Sequence, residues 1–409
     1  MSPPPSDGSG TATPSRRFED VDWDGVAESP TAPAWNLRGF LLGLAALVAG
    51  FWYEHVEGNA VPFASNLEPL DWLFAASLLA IGAFVLVPLA TNPRETARYW
   101  RRLRERPAGL LSLGFVLALF VVGLLSPLFV SEPTGIAFQR AYQPPFGLGI
   151  DAVHLFTSDA CVGRIADATC YGTLTHPLGT TETGKDLLPF VLLGARTSLA
   201  VAVVSATLIV PTGLAVGLLA AHAGGRTDGI LMQVAEVSQT VPAVIVYMLF
   251  WGWNAEYRLL VLVAVFGMTS WGGLARLVRN EALQLRERPY VQAARDAGAS
   301  RYDVMRHHLL PNISRSVLTN VTLQVPLIVV TEAALSFIIV ASPFDGEPVT
   351  LGDPTVVSWG QVINMGTGEA GLLPGWWITV IPGSLLVATM LAFTLLGRTL
   401  GDVLDPRPK

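Results

Sequence analysis

Two carboxylates, Glu236 and Glu332, stand inside long apolar runs, where a charge near the bilayer centre costs on the order of 3 kcal/mol on insertion scales. Each therefore needs a partner or water. With Gln233, Gln239, Asn320 and Gln324 they could line a polar translocation path, and in a proton-coupled transporter one of them would carry the proton. Alternatively, both are hydrogen-bonded within the bundle, or Glu236 sits near the inner end of its run.

Three other groupings invite a chemical reading. Residues 179–185, GTTETGK, fit the G-x-x-x-x-G-K part of a phosphate-binding loop. Asp186 follows where Mg²⁺ coordination needs Ser or Thr, and no buried strand precedes Gly179, so a nucleotide site is not expected. His307 and His308 are adjacent, and neighbouring helical side chains diverge by about 100°, which does not make a shared metal or acid/base site. Cys161 and Cys170 are close in sequence, so a structural disulfide is expected, with a metal set completed by His154 and His176 as the alternative. No Ser/His/Asp, paired-carboxylate or metal arrangement appears at workable positions, so no catalytic residue is assigned.

The elements that position these groups follow from composition. The chain has 409 residues, 51% hydrophobic and 14% charged, with a mean hydropathy of +0.48. That is too apolar for an ordinary soluble domain and marks an integral membrane protein. Runs able to span a bilayer fall at about residues 71–91, 109–130, 192–221, 229–252, 258–278, 316–341 and 376–397, with a marginal eighth at about 37–53. The 92–108 segment carries six arginines and the 275–315 segment eight, whereas 54–70 and 342–375 carry neither Lys nor Arg. The basic segments stay inside. Eight spans with both termini inside satisfy every loop and place the cysteines in an outer loop at 131–191. The net charge of −6 gives no reason to expect nucleic-acid binding.

Residues 1–34 are rich in Pro, Ser, Gly and Thr without apolar periodicity, as in a disordered cytoplasmic tail. A transmembrane hairpin and a basic amphipathic connector fill 35–108, and 109–409 form the main membrane domain. Pro242 and Pro326 would interrupt helices there.

Between two of the apolar runs lies a polar segment at 281–312. Tyr290, Ala293, Ala294, Ala297 and Gly298 recur at i, i+3, i+4, i+7 and i+8, so a helix here shows one small, flat face. Gly298 suits a helix C′ position, and Ser300 with Asp303 has the S-x-x-D form that opens a second helix. Helix, tight turn, helix is the expected result. Its small face would admit another protein or lie on lipid headgroups.

This segment resembles the cytoplasmic coupling loop (the "EAA" loop) of ABC importer permeases, with Ala293, Ala294, Gly298, Leu310 and Pro311 at matching positions and Gln292 where Glu is usual. From about residue 109 the chain is similar to the C-type permease of the dipeptide, oligopeptide and nickel import family. HPLGTTETGKD (176–186), GARTSL (194–199), GGRTDGILM (224–232), WGGLARLVRNEAL (271–283), EAALSF (332–337), SWG (358–360) and LGDVLDPR (400–407) carry the likeness. Thr181, Lys185 and Glu236 depart from the usual Asp, Arg and Asp, and an acidic insertion separates Phe337 from Ser358.

The resemblance implies an all-α, six-helix permease core preceded here by an extra hairpin, in a prokaryotic cell membrane. It implies ATPase coupling through Tyr290, Ala293, Ala294, Gly298, Leu310 and Pro311, and a second homologous permease. It also implies two ATPase subunits that hold the ATP and Mg²⁺, and an extracytoplasmic binding protein. No cofactor is expected on this chain. Peptides are the expected cargo, with nickel or small oligosaccharides as alternatives.

Overall fold

The computed structural model describes residues 34–56, 68–131, 135–155, 160–250, 257–340, 357–367 and 374–404. The N-terminal tail and most of the acidic insertion after Phe337 lie outside these residues.

The apolar runs become helices because a bilayer leaves the backbone no water to bond with. α1 (Ala34–His55) and α2 (Pro69–Thr91) form the hairpin. The amphipathic α3 (Pro93–Arg104) leads into α4 (Pro107–Phe129). The longest unbroken helix, α5 (Leu187–Ala223), spans 37 residues, about 55 Å at 1.5 Å per residue, and is the axle of the bundle. α6 (Gly225–Thr240) and α7 (Ala243–Phe250) form one span bent by 71°. α8 (Arg258–Thr269) and α9 (Gly272–Arg286) form the next. α10 (Pro289–Asp296) belongs to the polar segment. Arg301–Asp303, a π turn at Val304–Leu309 and Leu310–Val340 run on as α11. The short α12 (Trp359–Met365) and α13 (Trp376–Leu404) complete the chain. Among the described residues, seven helices are long and apolar enough to cross a membrane, and the bent pair makes eight.

The two prolines singled out by sequence behave differently. Pro242 stands at the 71° break between α6 and α7, on an exposed surface where bending sacrifices little burial. Pro326 is buried inside α11, which continues through it. Pro88 and Pro311 each follow a π turn, Gly82–Leu86 and Val304–Leu309. A proline cannot donate to the carbonyl four residues back and crowds it, and the wider turn relieves that contact.

One apolar core surrounds α5, built from Val201, Val204, Leu262, Phe266, Leu274, Val278, Ile313 and Leu335. α9 comes very close to α5: a Cβ on Gly217 would lie 2.5 Å from the Ala275 carbonyl. A second cluster, with Phe190, Trp377 and Val362, seals the other end, and Val116, Phe393 and Leu396 join α4 to α13. The hairpin docks on α5 through Leu70 and Phe74, which enter the main core. Arg196 donates to Asp71 at 2.5 Å, and the Ser77 and Thr207 hydroxyls meet at 2.7 Å.

The 131–191 loop ends at Asp186, whose Oδ1 accepts from the Leu188 N–H at 3.0 Å and starts α5 five residues earlier than the loop's expected limit. It also holds a small antiparallel sheet in an otherwise helical chain: β1 (Gly149–Asp151), β2 (Ile165–Ala166) and β3 (Thr169–Tyr171), in the order β1-β3-β2. Cys170 on β3 is fully buried and bonded to Cys161, with their Cα atoms 5.8 Å apart.

Candidate coupling loop and translocation surface

Pro289 opens α10, and Gly298 ends it with a φ of +91°, where a Cβ would be strained. The Gly298 N–H donates to the Arg295 carbonyl and the Ala299 N–H to the Ala294 carbonyl, both near 3.0 Å. This pair of bonds is the Schellman closure of a helix end. Ser300 then accepts from the Asp303 N–H at 3.1 Å, capping α11. The expected helix, turn and helix are all present.

The turn is anchored from beneath. Val291, Val304, Leu309 and Ile313 are buried in the main core, while Tyr290, Ala293, Ala297, Gly298, Leu310 and Pro311 are exposed and Ala294 is half-buried. Asn312 donates to the Tyr290 hydroxyl at 3.5 Å, and the Tyr290 ring lies 6.2 Å from that of His308. Arg286 donates to the Ala221 carbonyl at 2.5 Å, tying the end of α9 to the end of α5. α10 thus packs against the same core as α9 and α11, and α9 is tied in turn to α5. His307 and His308 belong to the π turn of α11, and His307 Nδ1 lies 3.2 Å from the Asp303 carbonyl.

The polar residues named for a translocation path do not share one surface. Glu236 and Gln239 are exposed on α6 just before the bend. Gln239 accepts from Arg276 at 2.7 Å and donates to the Ala235 carbonyl at 3.1 Å. Asn320 and Gln324 are half-buried on α11, with Asn320 Oδ1 buried and unbonded. Glu332 is buried within the chain and accepts from Ser198 at 2.8 Å and Ser336 at 3.0 Å. It faces α5, so its placement fits the bundle-bonded alternative and not an open path through this chain. Arg276 carries no signal of its own in the sequence, where it is one of eight arginines in the inner segment.

The GTTETGK segment leaves no nest for a phosphate. The Thr180 N–H donates to the Gln143 carbonyl, Thr181 to Lys185, and Gly184 to Thr181. The Lys185 N–H donates to the Thr181 hydroxyl at 3.2 Å, and Trp377 closes the loop with a 3.1 Å bond to the Thr180 carbonyl. These four amides are spent and cannot turn to an anion. Tyr142 donates to Glu182 at 3.5 Å beside this loop, and burial first, then Glu182, push its phenol above the ordinary range. Cys161 and Cys170, being bonded to each other, offer no thiolates to a metal.

Residues 213–409 match the family described as binding-protein-dependent transport system inner membrane component. Residues 96–145 match the N-terminal TM domain of oligopeptide transport permease C, which takes in most of α3 as well as α4. The chain is 30% identical over 311 residues to the dipeptide transport system permease protein DppC of Bacillus subtilis, covering 75% of this chain and 84% of that one. It is 33% identical over 237 residues to the oligopeptide transport system permease protein OppC of Escherichia coli K12, covering 57% and 73%. A putative peptide transport system permease protein of Brucella suis is 31% identical over 312 residues, 76% and 91% of the two chains. This chain, a multi-pass protein of the prokaryotic cell membrane, belongs to the family of binding-protein-dependent transport system inner membrane components.

Proposed function

We propose that this chain is one of two permease subunits of an ATP-driven importer of di- and oligopeptides. Its exposed α10 turn docks on an ATPase, and closure of the ATPase pair moves α5, α9 and α11 as a rigid body. The observation that carries this reading is the Tyr290–Gly298 turn, a small exposed face standing on a buried Val291 anchor. The peptide cargo is supported by the names of the DppC and OppC relatives. A second permease covers the exposed α6 surface, a binding protein delivers cargo from outside, and ATP and Mg²⁺ reside on the two ATPase subunits. No covalent chemistry occurs on this chain.

The test is co-purification of the wild-type chain and Gly298→Arg with candidate ATPase subunits, scoring bound ATPase and peptide-stimulated ATP hydrolysis in membranes. No atom lies within 4 Å of a Cβ built at Gly298, so the arginine projects into the docking face. The wild type recruits the ATPase, and the variant inserts normally but loses coupling. Normal coupling by the variant would remove the docking assignment.

A further inference from the structure

Two arginines one turn apart on α9 reach in opposite directions. Arg279 forks onto both oxygens of Asp228, at 2.7 and 2.5 Å, near the inner end of α6. Arg276 instead donates to Gln239, near the bend at the far end of that helix.

The register of the two helices sets the depth. A Cβ on Gly272 would lie 2.1 Å from the Ala235 carbonyl, and seven residues further along both helices Arg279 meets Asp228. α6 and α9 therefore run antiparallel and in step. By that step the Arg276 backbone is level with Leu231, while its guanidinium meets a Gln239 amide folded back onto Ala235. The charge thus sits about one turn, roughly 5 Å, deeper than its own backbone. Level with Gly272, it lies about 9 Å along α9 inside the inner limit of the apolar run at 258–278.

An arginine near a membrane surface normally extends its charge toward water. This one reaches away from the inner end, in the direction helical side chains lean. It receives one neutral acceptor, and none of the ion pairs among the described residues includes it. Arg276 is exposed on the chain's surface near the break at Pro242, and Glu236, exposed one turn before Gln239, forms none of the described ion pairs with it. An intramembrane cation so placed calls for an anion that arrives from outside the chain.

We infer that Arg276 is a specificity-determining residue that binds the terminal carboxylate of a peptide in transit, at the bend between α6 and α7. The inference rests on the peptide-importer reading above. The guanidinium fork matches a carboxylate in bidentate fashion, and the bond to Gln239 holds it facing the α6 surface. A carboxylate on the second permease would satisfy the same chemistry, and the experiment separates the two sources.

The complete assembly, with its second permease, ATPases and binding protein, is reconstituted in liposomes. Uptake of a tripeptide and of its C-terminal amide is measured, each saturating the binding protein. The wild type favours the free acid by about tenfold, the scale of one charge-assisted contact. Arg276→Gln brings the ratio close to one while the subunits still co-purify, and Arg276→Lys keeps part of the preference. Equal uptake of both forms by the wild type overturns the inference, as does an undiminished preference in Arg276→Gln. Loss of the second permease from the Arg276→Gln assembly, with both forms slowed alike, assigns the carboxylate to that subunit and also overturns it. If the wild type carries neither form although another loaded cargo stimulates its ATPase, the peptide reading itself has failed.

Discussion

Glu332 on α11 accepts a hydrogen bond from Ser198 on α5 at 2.8 Å, across 134 positions of sequence. Ser336 holds the other carboxylate oxygen at 3.0 Å, and the Ser358 side chain lies close to the carboxyl. Ser358 in turn caps α12, accepting from the Gly360 N–H at 3.1 Å. The carboxyl group thus ties α11 to α5, with the start of α12 beside it, at a point buried within the chain.

Replacing Glu332 with Ala should cost about 2–4 kcal/mol, because it leaves buried hydroxyls without their acceptor. Glu332→Gln keeps an acceptor and should cost about 1 kcal/mol. Thermal unfolding in detergent measures both. ATP-driven uptake should survive in Glu332→Gln; its complete loss in a folded protein would make the carboxylate a participant in transport, as a proton-coupled mechanism requires.

Gly298 separates conformation from docking. Its φ of +91° strains any L side chain, while the space around it is open. Gly298→Ala should therefore destabilise the turn by about 1 kcal/mol, and Gly298→Asn by less. Hydrogen exchange at Ala299 reports the loss, since that amide closes the turn on the Ala294 carbonyl. Equal protection in all three proteins would show that the turn does not depend on glycine.

The hairpin's contact with α5 is open to a chemical test. The Ser77 and Thr207 oxygens are 2.7 Å apart, so a Ser77→Cys, Thr207→Cys protein should oxidise to a disulfide in membranes. With a protease site placed between α2 and α3, the cleaved fragments should stay joined without reductant and separate with it. Fragments that separate under both conditions would mean that the hairpin sits elsewhere.

Local signals in the sequence survived into the structure where the structure itself is local. The small face from Tyr290 to Gly298, the glycine stop and the Ser300 cap each depend on residues within a turn or two, and all are present. The spans were readable for a similar reason, since length and hydropathy decide them. Glu332 was not readable, because its burial depends on α5 and α12 meeting around it from positions far away in the chain. Arg276 was hidden by a different effect. Counting arginines locates a segment relative to the membrane, but the direction of one side chain follows from which end of its helix faces inward and what the neighbouring helix offers. Pro242 and Pro326 carry the same local signal and diverge only because one is exposed and the other packed.

α3 and the last turn of α13 meet at the inner rim. Arg102 donates to the Val403 carbonyl at 2.9 Å, and Arg106 pairs with Asp402. Arginines at the carbonyl end of a helix offset its negative pole, while along their lengths α4 and α13 share Val116, Phe393 and Leu396. The first and last helices of the six-span core therefore clasp each other without help from α1 or α2. The hairpin joins upstream of that clasp, at Asn92, and rests on the outer wall of α5. It has the position of a graft: an added module that reached the membrane domain without opening a seam in it.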